Sequence, residues 1–238
     1  MTNSAYSLRP NTQRATQALV AFYVVIGTYL ALILSCGVEL YFLHLIENGT
    51  LPDLDLVTVV DKVHAGLSVV VILCMVVCGV FFIRWFRRAN FNLHQLPLRM
   101  KHSESWALWC WLIPFVNLVS PYRLMREMHR KSEHLLRGHP RAEGLLGKYE
   151  NVNLWWGLWL AYGLLSQILS RVIAGAEGVN ELQMSFQLQA LSYGFGILTA
   201  YVATLVVREY AAIGEALYDV YLREEDQIID SFGRLEVY

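Results

Sequence analysis

Glu39 is the ionisable side chain most suited to chemistry, because it lies inside a long apolar stretch that runs from Gln17 to Ile46. Charged side chains at membrane depth are costly, and they are usually paired or functional. His64 and Arg171 are intramembrane polar residues that could pair with it from other apolar stretches. Two interpretations stay open for Glu39: a hydrogen-bonded structural carboxyl that joins helices, or a group that handles protons or ions.

His44 and His64 form a second candidate site. One lies near the end of the first apolar stretch and the other near the start of the second, so antiparallel neighbours would place them at similar depth. Two facing histidines could bind haem or a metal ion. Ordinary packing at the membrane interface is the alternative. We predict no resident cofactor otherwise and no metal site, since the four cysteines lie in apolar segments as small filler residues, and the i, i+4 pair Cys74 and Cys78 has no second pair or His cluster nearby.

No catalytic residue is predicted. The sequence contains no Gly-rich phosphate loop, no nucleophile elbow and no HExxH motif. A membrane-interface enzyme that acts on lipid head groups would have to use the polar residues around His102, Glu104 and Asn117.

The composition points to a membrane protein. Hydrophobic residues make up 55% of the 238 residues and charged residues only 16%, whereas soluble domains carry roughly 25% charged residues. Because a membrane-crossing helix needs about 20 mostly apolar residues, the chain predicts an all-α integral membrane protein with a single helical domain over residues 1–238. The predicted spans are about 17–46, 57–83, 152–174 and 186–207, followed by a polar C-terminal tail over 208–238. The first apolar stretch is too long for a signal peptide and is predicted to be retained.

Positive charge predicts the orientation of these spans. If the N-terminus is cytoplasmic, 17 of the 19 Lys and Arg residues fall on the cytoplasmic side, and only Lys62 and Arg171 fall outside. Basic residues favour cytoplasmic loops. We therefore expect four spans with both termini in the cytoplasm.

The segment from about 105 to 121 is predicted to form a half-helix that re-enters the membrane or lies deep in its interface, instead of crossing it. Its apolar core, Trp106 to Val119, would extend only about 21 Å as a helix, less than the roughly 30 Å of hydrocarbon. Pro114 and Pro121 weaken a regular helix, and basic residues flank both ends. A fifth crossing is the alternative. Asn117 is expected to bond to backbone groups that the prolines leave unpaired.

The residues that follow, about 122–137, predict a cytoplasmic amphipathic helix. Apolar residues form one stripe, while Arg126, Arg130, Lys131 and Arg137 lie elsewhere on the helix. Such a helix suits the surface of an anionic leaflet. The expected partners are thus the lipid bilayer and anionic lipid head groups at the cytoplasmic face, with a homo-oligomer or a larger membrane complex as further possibilities, and no nucleic acid.

A spaced motif in this region resembles that of an uncharacterised bacterial multi-span membrane family, domain of unknown function 4328. The matching residues include Ser103, Trp106, Trp111, Pro114, Asn117, Pro121 and Tyr122. The chain departs from the family pattern at Cys110, where relatives tend to have a small residue. The resemblance implies a multi-pass protein of the bacterial plasma (inner) membrane, and it implies no activity.

These observations favour a non-enzymatic membrane module that serves assembly, sensing or small-solute passage. The lipid head-group enzyme is the alternative, and a haem-binding subunit using His44 and His64 is a weaker one.

Overall fold

A computed structural model describes residues 7–147, 149–173, 175 and 178–235. Residues 1–6, Ala174 at the end of the third predicted span, and the last three residues of the predicted tail lie outside this description. All the regular structure in the described part of the chain is helical. The helices are α1 (Thr12–Glu47), α2 (Leu54–His94), α3 (Trp106–Leu112), α4 (Ser120–Leu136), α5 (Glu150–Ile173) and α6 (Val179–Leu235), with short 3-10 turns at Val116–Leu118 and Pro140–Ala142.

Three of these helices are long and apolar enough to cross a membrane: α1, α2 and the Val179–Leu222 part of α6. The predicted spans 17–46, 57–83 and 186–207 lie on them. The third predicted span, 152–174, corresponds to α5, which is 24 residues long but is not among the three. Its apolar residues are interspersed with Asn153, Ser166 and Gln167, which lowers its mean hydropathy.

The turn between α1 and α2 follows directly from its residues. Gly49 has φ of +75°, a left-handed conformation that costs glycine little. The Thr50 N–H donates to the Leu45 carbonyl and the Gly49 N–H to the Ile46 carbonyl, both at 3.0 Å, which is the Schellman pattern that ends helices. The Asp53 carboxylate then accepts the Asp55 N–H at 2.9 Å and caps the start of α2. The chain therefore reverses within a few residues.

The chain divides into two compact units. The first contains the segment up to Leu19, Val80–Asn153 and the chain from Leu205 onward, so it includes α3, α4 and the ends of longer helices. The second contains Val20–Gly79 and Leu154–Thr204.

The first unit has its core around the aromatic residues of α2. Trp85 and Phe86 are fully buried. The Trp111 ring of α3 meets Phe82 and Phe86 edge-on, with ring centroids 5.5 and 5.9 Å apart. Such edge-to-face pairs add about 0.5–1.5 kcal/mol beyond area burial. These ring contacts attach the short helix α3 to α2.

The backbone of the segment 105–121 breaks near Pro114, as its prolines predict. α3 ends at Leu112, and Phe115 adopts φ of +63° just after Pro114. A positive φ is rare for a bulky residue. Phe115 is 84% exposed, so this strained position presents an apolar ring outward.

The apolar face of α4 packs inside the protein. Leu124, Met125 and Met128 are buried, and the Ser132 hydroxyl pairs with the Tyr210 hydroxyl of α6 at 3.1 Å. The amphipathic helix predicted at 122–137 is thus observed at Ser120–Leu136. The protein core covers the apolar stripe of this helix, so its basic face stays outside, and its place on an anionic leaflet stays a prediction.

The second unit contains a close helix approach at Gly196 of α6. A Cβ at this position would lie 2.9 Å from Cε2 of Tyr29, and the Tyr29 hydroxyl pairs with the Tyr162 hydroxyl at 2.7 Å. Only glycine allows α6 to lie this close to the Tyr29 ring.

Gly196→Ala is therefore expected to lower the thermal midpoint of the purified protein, because overpacking of a filled core costs about 1–3 kcal/mol. Gly194→Ala is the matched control, since a Cβ there meets nothing within 4 Å and alanine is the better helix former. Equal midpoints for the two variants would show that the contact at Gly196 does not constrain the helices.

Candidate anion-binding cleft

One face of α4 carries arginines at helical spacing. Arg123, Arg126 and Arg130 are all exposed, and residues three or four positions apart lie on the same side of a helix. Since the opposite face of α4 is buried in the first unit, these three guanidinium groups are held on the outward side.

These arginines border an open cleft of about 580 Å³ in the first unit. The segment before α3 and the residue before α5 complete its lining, so three separated parts of the chain form it. The lining residues are Lys101, His102, Tyr122, Arg123, Arg126, Glu127, Arg130 and Tyr149.

Side-chain contacts fix the geometry of the cleft. The Glu127 carboxylate accepts the backbone N–H of Lys101 at 2.8 Å, which joins the segment before α3 to α4. The Arg126 guanidinium lies over the rings of Tyr122 and Tyr149, 5.7 and 5.9 Å from their centroids. These are cation–π distances. The Tyr122 hydroxyl donates to the Asn153 carboxamide oxygen of α5 at 2.9 Å.

The cleft is strongly cationic. Four basic side chains face a single lining carboxylate, that of Glu127, and Glu127 is already engaged by the Lys101 backbone. The ion pair seen in the described part of the chain is His44 with Glu47, so none of the four cleft cations is neutralised there by a salt bridge. Arginine donors in a fixed fork match the oxygens of carboxylates and phosphates. The arrangement is therefore suited to bind an anion.

His129 and Tyr149 form a neutral inner wall beside these cations. Burial lowers the pKa of His129 to about 4, although the Glu133 carboxylate acts in the opposite direction. Burial, together with a hydrogen bond that the Tyr149 hydroxyl donates to Glu133, raises the pKa of Tyr149 to about 12. Neither side chain is charged near pH 7, so the arginines and Lys101 set the charge of the cleft.

The structure places the sequence-predicted polar residues as follows. Glu39 is buried, at 5% exposure, and its neighbouring carboxyl group is that of Asp61. His64 instead pairs with the Ser35 hydroxyl at 3.0 Å. Arg171 is exposed. Neither His64 nor Arg171, the two predicted partners, is therefore the residue that contacts Glu39.

His44 and His64 are not brought together. The His44 ring contacts the Asn48 carboxamide at 3.1 Å on the exposed end of α1, whereas His64 lies opposite Ser35. Nine residues separate Ser35 from His44, which is about 13 Å along a helix. The described residues contain no cluster of three or more His, Cys, Asp or Glu side chains suited to a metal ion.

The alternative polar face is not a connected site either. His102 stacks on Trp106 with ring centroids 5.4 Å apart, and Glu104 is exposed. Asn117 donates its backbone N–H to the Ile113 carbonyl at 3.0 Å. Among the described hydrogen bonds, none links the side chains of these three residues, and none shows the predicted bond from the Asn117 side chain to the turn.

The motif residues mainly hold the cleft and its neighbours in place. Ser103 pairs with Ser105 at 3.2 Å, Pro121 is buried at the start of α4, and Tyr122 links α4 to α5. Sequence reasoning missed Lys101, Glu127 and Tyr149 as cleft residues. The signal available was the i, i+3, i+7 spacing of the arginines, which indicated a basic face but not what lies opposite it.

An all-helical chain with three helices long and apolar enough to cross a bilayer has the architecture of an integral membrane protein. A family model described as "Domain of unknown function (DUF4328)" matches residues 48–212. The chain belongs to this family, as its Trp- and Pro-rich motif indicated. No curated protein and no solved structure matches the chain.

The buried His129 predicts a specific acid sensitivity. The pKa of its folded state, about 4, lies below the value of 6.5 for an ordinary histidine, so the unfolded chain binds more protons between these pH values. The free energy of unfolding should therefore fall as the pH drops from 6.5 to 4, by at most about 1.4 kcal/mol per pH unit from this group.

His129→Phe should keep the fold near pH 7, because the ring packs against Tyr149 and Tyr210 and its Nε2 is buried without a hydrogen bond. The variant should lose less thermal stability than the wild type between pH 7 and pH 4.5. His134→Gln, at an exposed position of the same helix, should behave like the wild type. An unchanged acid response in His129→Phe would contradict the buried neutral imidazole.

Proposed function

We propose that this chain is a non-enzymatic module of the bacterial plasma membrane that binds an anionic, phosphate-bearing lipid head group in the cleft on α4. One observation carries the proposal: Lys101, Arg123, Arg126 and Arg130 line a single cleft, and none has a salt-bridge partner among the described residues. Juxtamembrane Lys and Arg residues each contribute about 1 kcal/mol of attraction to an anionic leaflet.

The neighbouring segment supports a lipid as the source of the phosphate. Around the break at Pro114, several apolar side chains are exposed, and they directly precede α4 in the chain: Trp109, Leu112, Ile113, Phe115, Leu118 and Val119. In water, a patch of this kind would mark an interaction site. We infer that Trp106 to Val119 enters the membrane from the cytoplasmic side and returns, so that the basic face of α4 begins at head-group level.

The same proposal includes four spans, formed by α1, α2, α5 and α6, with both termini in the cytoplasm. The bias of basic residues supports this orientation. The tryptophans of α5 also support its role as a span, since Trp155, Trp156 and Trp159 form a stacked and edge-on series of the kind found at membrane interfaces.

The cleft proposal is tested by titrating short-chain phosphatidylglycerol into the detergent-purified protein and following tryptophan fluorescence. Arg126→Gln and Arg130→Gln should each weaken binding roughly fivefold, and the double variant roughly 30-fold, because each loses about 1 kcal/mol. Arg137→Gln is the matched control, since this exposed arginine ends the same helix but does not line the cleft. Phosphatidylcholine of the same chain length should bind more weakly than phosphatidylglycerol.

Two results would overturn the proposal. An equal loss in Arg137→Gln would mean that general surface charge, and not the cleft, attracts the lipid. Inorganic phosphate binding at concentrations where phosphatidylglycerol does not bind would make a free anion the ligand.

The orientation is tested with single cysteines in a background that lacks the four natural ones. A membrane-impermeant maleimide added to intact cells should label cysteines at the exposed positions Leu51 and Asn180, but not at Glu143. Labelling of Glu143→Cys in intact cells would place the α4–α5 loop outside and reverse the orientation. Labels at Ser105 and Ser120 reaching opposite faces of the membrane would mean that the segment between them crosses it.

A further inference from the structure

The pairing of α1 and α2 in the second unit brings a set of polar side chains face to face. Ser35 contacts His64 at 3.0 Å, and the Tyr29 hydroxyl contacts the Met75 sulfur at 3.2 Å. The residue numbers rise along α1 as they fall along α2, as antiparallel helices require. Glu39 and Asp61 lie one helical turn from the Ser35–His64 contact. Glu39 is four residues after Ser35 in α1, and Asp61 is three residues before His64 in α2.

Glu39 and Asp61 are in contact as this register predicts, since the side chains of the two carboxyl groups interact. They differ in their access to solvent. Glu39 is 5% exposed, and its Oε1 atom is buried without a hydrogen-bond partner. Asp61 is exposed. The pair therefore has one sheltered carboxyl group and one on the exterior of the protein.

Among the described residues, no cationic side chain is recorded in contact with Glu39. Cys36 is the titratable neighbour of Glu39 on α1, and His64 is engaged by Ser35 and by an edge-on contact with Phe186 of α6 at 5.5 Å. Gln183 of α6 contacts Glu47, two turns further along α1. The basic residues Lys62 and Arg171 are exposed, and among the described contacts neither forms an ion pair with Glu39.

Two carboxyl groups in contact do not both ionise readily, because like charges at short range disfavour the second ionisation. An unpaired carboxylate buried away from water is also costly. A cation must therefore balance the pair. Because the Oε1 atom of Glu39 is buried, a proton, which needs no additional space, is the cation best suited to that oxygen.

We propose that Glu39 and Asp61 form a proton-binding pair that holds one proton between two carboxyl groups. The proton arrives from solvent at a carboxylate oxygen of Asp61 and bonds to an oxygen of the pair. On release, the proton leaves by the same route. No electron is transferred and no other bond breaks. Because the pair joins α1 to α2, its occupancy couples proton concentration on that side of the membrane to the contact between these helices.

The test is an infrared difference spectrum of the detergent-purified full chain at pH 7, recorded in H2O and in D2O. The wild type should show the carbonyl stretch of a protonated carboxyl group, with the expected shift in D2O. Glu39→Gln should lose this band, whereas Asp61→Asn should keep it at a shifted frequency, because the remaining Glu39 carboxyl group has lost its partner. Glu47→Gln, which changes an exposed carboxyl group of the same helix, should retain it.

Absence of the band in the folded wild type at pH 7, its persistence in Glu39→Gln, or an unchanged band frequency in Asp61→Asn would overturn the proposal. Loss of the wild-type band on addition of sodium chloride at constant pH would show that the pair holds a metal cation, which also overturns it. Asp61→Asn keeps the test valid if Glu39→Gln does not fold, since Asp61 is exposed and its replacement leaves the helix interior unchanged.

Discussion

The fold depends on one constraint: a backbone N–H or carbonyl group in hydrocarbon has no water to bind, so the chain itself must supply its partner. Long helices meet this constraint, and the three apolar helices of this chain do so over 36 or more residues each. Wherever a helix is interrupted, nearby groups must then form the hydrogen bonds that the backbone N–H and carbonyl groups have lost. Between α1 and α2, Gly49 and Asp53 supply the closing hydrogen bonds. At Pro114, bonds such as that from the Asn117 N–H to the Ile113 carbonyl close the break, and Phe115 takes a rare backbone conformation there. The same constraint thus produces both the regular helices and the irregular segment that precedes the cleft.

The sequence predicted the helices well because their signal is local. An apolar run of sufficient length identifies a helix wherever its neighbours lie, and the spans at 17–46, 57–83 and 186–207 lie on α1, α2 and α6. It also predicted that Glu39 is buried. It could not give the partner of Glu39, because that depends on the register between two helices. The register is set by the geometry of the Gly49–Asp53 turn. A difference of three residues along α2, less than one helical turn, separates the expected partner His64 from Asp61.

The candidate cleft illustrates a second limit. The amphipathic pattern of α4 predicts that its apolar face is buried away from water. Packing against a lipid leaflet or against a protein core satisfies that requirement equally. The structure resolves the choice, since Met125, Met128 and Ser132 are buried within the first unit. What remains outside is the basic face alone. The basic face of α4 forms a cleft only together with Lys101 and Tyr149, which come from separate segments of the chain. No local spacing connects them to the arginines, so only the folded structure reveals the site.

Solvent access explains why charges are treated so differently within each unit. Arg123, Arg126 and Arg130 stay exposed, so each can remain hydrated without a partner, and a surface ion pair would add only about 0–1 kcal/mol. These cations are consequently free to bind an external anion. Glu39 has no such freedom, because burial removes its hydration and makes an unbalanced carboxylate costly. Its charge has to be balanced at the site by the smallest available cation. An exposed charge can thus serve recognition at little energetic cost, whereas a buried one must be neutralised within the structure, and this difference is the physical basis for proposing anion binding at the α4 cleft and proton binding at the carboxyl pair.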